Sequence, residues 1–181
     1  MLVHPWTWLG GRGSILDQLA HELSNSSMAC LTFDLRGAGA SEGSSSFSGT
    51  SEVEDVQAAV EFMKSRFPGR RVFFIGYSAG ACISGSAASL CDVHGYVGLA
   101  YPCGWISSIA FSAHPEKLKE FAGPKLLLSG DSDGFTSESQ LRKKFGTHEN
   151  IVIHILPGVG HFDILGDEAV VKKILDFVTI D

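Results

Sequence analysis

Arg71-Val-Phe-Phe-Ile-Gly-Tyr-Ser78-Ala-Gly80-Ala-Cys-Ile-Ser-Gly-Ser-Ala-Ala-Ser-Leu90 is the stretch on which the fold turns. Its first part, Arg71 to Gly76, is a short apolar run of strand type, and Ala79 to Leu90 is a helix of small residues able to pack closely under a sheet. Between them, Gly76-x-Ser78-x-Gly80 lets the backbone reverse sharply, with the serine hydroxyl outward and a helix N-terminus behind it. Strand, tight turn and helix make one βα unit, and the chain on either side continues the alternation.

Met28 to Phe33, Gly95 to Ala100, Lys125 to Ser129 and Ile151 to Leu156 are further predicted strands, and Met1 to His4 is a short sixth. Helical spacing recurs at Ile15, Leu16, Leu19, Ala20 and Leu23. It recurs again at Val53, Val56, Val60 and Met63 behind a Ser51-x-x-Glu54 capping box. Ser137 to Phe145 and Glu168 to Phe177 complete the helices. Strands that are nearly all apolar, separated by helices, predict an α/β fold: a mostly parallel sheet of about six strands with helices on both faces. Such a sheet presents its ligand site at the carboxyl ends of the strands. The Ser-rich stretch Ser41 to Ser51 reads as a mobile surface loop, and residues 1–181 read as one domain.

The 181 residues carry 14 Lys+Arg against 20 Asp+Glu, a net charge of −6, with 44% hydrophobic and 19% charged residues, a composition that excludes global disorder. Basic residues gather only as the doublets Arg70-Arg71, Lys143-Lys144 and Lys172-Lys173, so nucleic acid is not an expected partner. Cys30, Cys82, Cys91 and Cys103 form no CxxC pair and read as reduced thiols. No apolar run approaches the ~20 residues that span a bilayer, and Met1-Leu-Val-His-Pro lacks the pattern of a signal peptide. A soluble, cytoplasmic protein without a membrane partner is expected.

The G-x-S-x-G pattern occurs three times, centred on Ser41, Ser78 and Ser132. Ser41 lies in a loop with no helix after it. Ser132 is flanked by Asp131 and Asp133, whose carboxylates oppose the negative charge that the following N–H should stabilise. Ser78 has neither defect and is the candidate nucleophile; the plainer reading is a tight-turn serine. A serine needs a base, and the base an orienting carboxylate. His161 follows the last strand in a glycine-loosened loop, Pro157-Gly-Val-Gly-His161-Phe, and completes the order serine, acid, histidine. Asp131 and Asp133 both follow the Leu126-Leu-Leu-Ser-Gly130 strand as acids; the first fits the strand-end turn and the second the loop apex.

His4, His21, His94, His114 and His148 are weaker bases by position, and His154 is expected to pack within its strand. No histidine pair has the spacing of a helical metal motif, so no metal site is expected. Asp34-Leu-Arg36-Gly-Ala-Gly misses the dinucleotide fingerprint because Glu42 stands where a third glycine belongs; Asp34 and Arg36 read as an ion pair or cap that stabilises the turn. Gly10-Gly-Arg-Gly13 is followed by no P-loop lysine, and no cofactor is expected.

His4-Pro5-Trp6, Asp34-Leu-Arg36-Gly-Ala-Gly-Ala-Ser41-Glu-Gly43, Gly76-Tyr-Ser78-Ala-Gly80, Tyr101-Pro-Cys-Gly104, Gly130-Asp-Ser-Asp133-Gly-Phe-Thr136 and Gly158-Val-Gly-His161-Phe162 stand in order along essentially the whole chain. Together they resemble the α/β-hydrolase superfamily, in particular its small cap-less, dienelactone-hydrolase-like members. The resemblance implies Ser78 as nucleophile, His161 as base and Asp133 as orienting acid, with the backbone N–H groups of Ala79 and Trp6 as oxyanion hole. It favours Asp133 over Asp131 because the family's acid commonly stands three residues after the strand-end glycine, here Gly130. His4-Pro5 replaces the commoner His-Gly pair. The superfamily also has two further strands ahead of the one that begins here at Met1. Its strand order then leaves Met28 to Phe33 as an exposed edge, which suggests an N-terminally incomplete chain or a homodimer pairing through that edge.

One strand and two short helices, near Trp105 to Phe111 and Pro115 to Phe121, fill most of the stretch between Ser78 and Asp133, so no lid domain fits. An open site lined by Trp6, Trp8, Tyr101, Phe135 and Phe162 is expected, taking a small acyl substrate. The leading expectation is a serine hydrolase of carboxylic esters or thioesters acting through an acyl-enzyme on Ser78. An acyltransferase and a ligand-binding receptor on the same frame are the alternatives.

Overall fold

The computed structural model describes residues 1–179, apart from the side chains of Leu9 and Ile106. Five parallel strands form one sheet in sequential order: β1 (Leu2–Val3), β2 (Phe73–Tyr77), β3 (Gly95–Leu99), β4 (Lys125–Gly130) and β5 (Ile151–Leu156). Of the six predicted strands one, Met28 to Phe33, does not form. Met28 to Phe33 runs beside β1 and makes one bridge, Leu2 to Thr32, with the Leu2 N–H donating to the Leu31 carbonyl at 2.9 Å. It is the outermost segment, and β1 contributes only two residues against which it can pair.

Strand side chains alternate between two cores. Val3, Phe74, Tyr96 and Leu127 face one side, packed with α2 (Glu52–Arg66) and α3 (Ala79–Ala88) through Val56, Val60 and Ile83. Leu2, Ile75, Val97, Leu126 and Leu128 face the other, against α1 (Asp17–Ser24) and α7 (Glu168–Thr179) through Leu19, Leu23 and Ile174. Every residue of α3 is buried, which its small side chains permit. The helices α4 (Trp105–Ala110) and α5 (His114–Glu120) fill the stretch after β3, and α6 (Glu138–Phe145) links β4 to β5.

Two local expectations change. Ser51 makes no side-chain cap on α2, because its own backbone is already helical at φ −71°, ψ −29°, and Glu54 is turned toward Arg36 at 3.0 Å; the capping box belongs to α6, where Ser137 and Gln140 cap each other. His154 is exposed on β5 rather than packed, because β5 is the sheet's other edge and its side chains alternate between neighbour and solvent. Among the described residues no helix is long and apolar enough to cross a membrane.

Candidate active site

The strand ends bring together residues far apart in sequence. Ser78 follows β2 at φ 54°, ψ −125°, a left-handed conformation that a non-glycine residue holds only where its surroundings impose it. The surroundings do so through Gly76 and Gly80. A Cβ on Gly76 collides with the Gly80 carbonyl and Ala81, and one on Gly80 with the Val3 and His4 carbonyls. The Ser78 N–H donates to the Leu99 carbonyl at 2.9 Å, tying the elbow to β3.

His161 Nε2 lies 3.1 Å from Ser78 Oγ, and its Nδ1 lies 2.9 Å from Asp133 Oδ2. With Nδ1 carrying the proton toward the carboxylate, Nε2 is left to accept the serine hydroxyl proton. The side chain of Asp133 is fully buried and that of His161 is 6% exposed. Asp133 Oδ1 accepts the N–H groups of Phe135 at 2.7 Å and Thr136 at 3.2 Å, so both its oxygens are engaged. The imidazole is also braced: its ring centroid lies 4.5 Å from Phe135 and 5.6 Å from Tyr77, whose hydroxyl donates to the His161 carbonyl at 3.2 Å. Burial, with the Asp133 charge adding to it, pushes the Tyr77 phenol up to about 12, so it stays a donor.

Asp131, the rival acid, stitches the two loops instead. Its carboxylate accepts the Gly158 N–H at 2.7 Å and the Ser132 hydroxyl at 3.0 Å, while the Ser132 N–H donates to the Val159 carbonyl at 3.1 Å. Asp34 binds the loops around it through the N–H groups of Gly13 at 2.8 Å and Ala40 at 3.1 Å, contacts that hold its carboxyl below its ordinary range. Arg36 pairs with Asp55 at 2.8 Å on α2 rather than with Asp34.

Ser78 opens into a cleft of about 990 Å³ that also includes Trp6, Ala79, Phe135 and Phe162. Ala79 heads α3, where N–H groups lack helical acceptors. Two expected lining residues lie elsewhere. Tyr101 is 1% exposed and packed on Phe145 at 5.0 Å, because its strand-end position points into the core. Trp8, 60% exposed, stacks against Trp6 at 6.3 Å and lies outside the cleft. Trp105, Phe111 and Ile15 line it and were not expected; a largely exposed tryptophan such as Trp105 is visible only in the folded chain. His4 is fully buried: its Nε2 accepts the Leu35 N–H at 2.9 Å and its Nδ1 faces the Pro5 carbonyl at 2.7 Å, which fixes the start of the Trp6 loop. Among the described residues no group of three His, Cys, Asp or Glu side chains is placed to hold a metal ion.

Parallel sheet, serine elbow and cleft at the strand ends define a protein of the α/β-hydrolase fold. Residues 9–100 match the family described as serine aminopeptidase, S33 (Hydrolase_4), and the chain belongs to that family, a family of hydrolases. Solved structures similar to it include an α/β serine hydrolase homologue from Coxiella burnetii, at 23% identity and TM-score 0.78 over 98% of this chain and 81% of that one. A lid-less α/β serine hydrolase from Xanthomonas campestris matches at 22% identity and TM-score 0.80, over 99% and 82%. Est1E from Butyrivibrio proteoclasticus, with ferulic acid bound, matches at 16% identity and TM-score 0.78, over 99% and 88%. No curated protein sequence matches the chain.

Proposed function

We propose that this chain is a serine hydrolase that cleaves carboxylic esters or thioesters through an acyl-enzyme on Ser78. The observation that carries the reading is the continuous relay Ser78 Oγ, His161, Asp133 at 3.1 and 2.9 Å, opening into the cleft. Ser78 Oγ attacks the substrate carbonyl as His161 Nε2 takes its proton, and the N–H groups of Ala79 and Trp6 receive the oxyanion. The carbonyl–heteroatom bond then breaks, and the leaving alcohol or thiol departs with the proton from His161. Water, deprotonated by His161, attacks the acyl-enzyme; the acid leaves and Ser78 regains its proton.

The expectation of a small acyl group is widened by the cleft, whose size matches sites for drug-sized ligands. An aminopeptidase must hold its substrate's terminal ammonium. Among the described residues Asp133 is the one acid lining the cleft, and both its oxygens are occupied, which favours an ester over a peptide. The aromatic acid bound by Est1E accords with the aromatic lining here.

The test is labelling of the purified folded protein with a fluorophosphonate, followed by peptide mapping. An adduct on Ser78 that disappears in His161→Ala supports the reading. A folded protein that takes no label, or takes it on Ser132, overturns it.

A further inference from the structure

Among the described residues that line the cleft around Ser78 no charge is unpaired: lysine, arginine and glutamate are missing, and Asp133, the one acid among them, has its oxygens on His161, Phe135 and Thr136. The Thr136 and Ser107 hydroxyls are likewise engaged within the protein, whereas the buried indole N–H of Trp6 is without a partner. The Thr136 hydroxyl donates to the Tyr101 carbonyl at 3.0 Å and accepts the Cys103 N–H at 2.6 Å, and the Ser107 hydroxyl donates to the Gly104 carbonyl at 2.9 Å. Beyond that neutral donor, the lining offers a ligand aromatic surface in two banks. Trp6 and Phe111, 5.2 Å apart edge-on, stand with the oxyanion loop. Phe135 and Phe162, 5.9 Å apart edge-on, stand with His161, and Phe162 is 76% exposed. A scissile carbonyl at Ser78 therefore has apolar surface on both flanks.

A charged group drawn into such a site loses its hydration and gains no counter-charge. Apolar groups on either side of the carbonyl gain contact instead. We infer that the substrates are uncharged esters with an apolar group on both the acyl and the alcohol side, and that esters bearing a carboxylate, phosphate or ammonium near the carbonyl are rejected. The inference rests on the serine-hydrolase reading and adds the substrate class to it.

Four esters with leaving alcohols of similar basicity test it by titration of released acid: benzyl butyrate, methyl butyrate, benzyl acetate and benzyl hemisuccinate. Benzyl butyrate is expected to have the highest kcat/KM, roughly 10-fold above methyl butyrate and benzyl acetate and about 30-fold or more above the hemisuccinate. Ile15→Lys places a cation on a partly exposed part of the lining and is expected to narrow the hemisuccinate gap roughly 5-fold or more. Hemisuccinate turnover within threefold of benzyl butyrate, or methyl butyrate equal to it, overturns the inference. So does a protein that labels at Ser78 with fluorophosphonate yet hydrolyses none of the four, and in all three cases the label keeps the serine-hydrolase reading standing. Absence of the label removes that reading and the substrate class with it.

Discussion

The ring of Phe47 meets the indole of Trp6 edge-on, 5.2 Å between centroids. Phe47 belongs to the Ser-rich loop whose composition suggests mobility, yet the loop is pinned on both sides of it. Buried Glu52 accepts the N–H of Ser46 at 2.6 Å and its hydroxyl as well. Buried His114 donates from Nε2 to the Ser48 carbonyl at 2.7 Å and accepts the Ser86 hydroxyl on Nδ1 at 2.6 Å. The strap therefore presses an aromatic ring onto the residue proposed to give the second oxyanion N–H. Phe47→Ala is expected to lower kcat roughly 3- to 10-fold with little change in KM, and Phe47→Leu to recover part of it. Equal losses in kcat and in thermal stability alone, without rescue, would point to a merely structural ring.

Burial pushes the pKa of both His4 and His114 below the ordinary 6.5, so each is neutral in the fold. Below that value the unfolded chain binds more protons than the folded one, and stability falls as pH drops from about 6.5 through the lowered folded values. Melting temperature measured from pH 8 to pH 5 should decline on the acid side. His114→Gln, which keeps a donor for Ser48 without titrating, should flatten that decline; an unchanged slope sinks the assignment.

Asp133→Asn leaves the shape of the acid loop but removes the charge that orients the His161 imidazole. Turnover is expected to drop roughly 10³- to 10⁴-fold with the fold retained by circular dichroism. Asp131→Asn, which alters the stitch between loops rather than the relay, should cost far less activity.

Gly80→Ala puts a methyl group against the Val3 and His4 carbonyls, backbone that cannot move aside cheaply. A loss of about 2–3 kcal/mol is expected, read as a fall in Tm of roughly 5–10 °C. An unshifted melting curve would mean that β1 yields at that point.

Burial raises all four thiols: Cys82 well above its ordinary value, Cys103 up to about 12, and half-buried Cys30 and Cys91 less far. With Ellman's reagent, no more than Cys30 and Cys91 should react in the native state, and Cys82 and Cys103 only after denaturation. Rapid titration of all four in the folded protein would contradict the burial of Cys82 on α3 and of Cys103 in the loop after β3.

The outer side of Met28 to Phe33 has no strand partner among the described residues. Self-association through this edge is expected at high concentration and should be weakened by Leu31→Lys. Sedimentation velocity showing identical behaviour for both proteins would exclude the edge as the contact.

Much of this molecule is already written in local pattern. Alternation of apolar strands with helices of 3.6-residue period determines an α/β parallel sheet, because backbone preference and burial of one face act within a few residues. The glycines around Ser78 are read the same way, since the elbow is a steric demand between near neighbours. Loop position and family resemblance already favour Asp133 as the acid, but the contacts themselves exist only in space: Asp133 meets His161 across 28 residues, and His161 meets Ser78 across 83. Loop side chains take their direction from such distant contacts. For the same reason Tyr101 turned inward, Trp8 outward and His114 into a buried latch, and a segment with every local mark of a strand was left with a single bridge because β1 offers it two residues. Composition and spacing carry no record of those partners; only the packed chain brings them within reach.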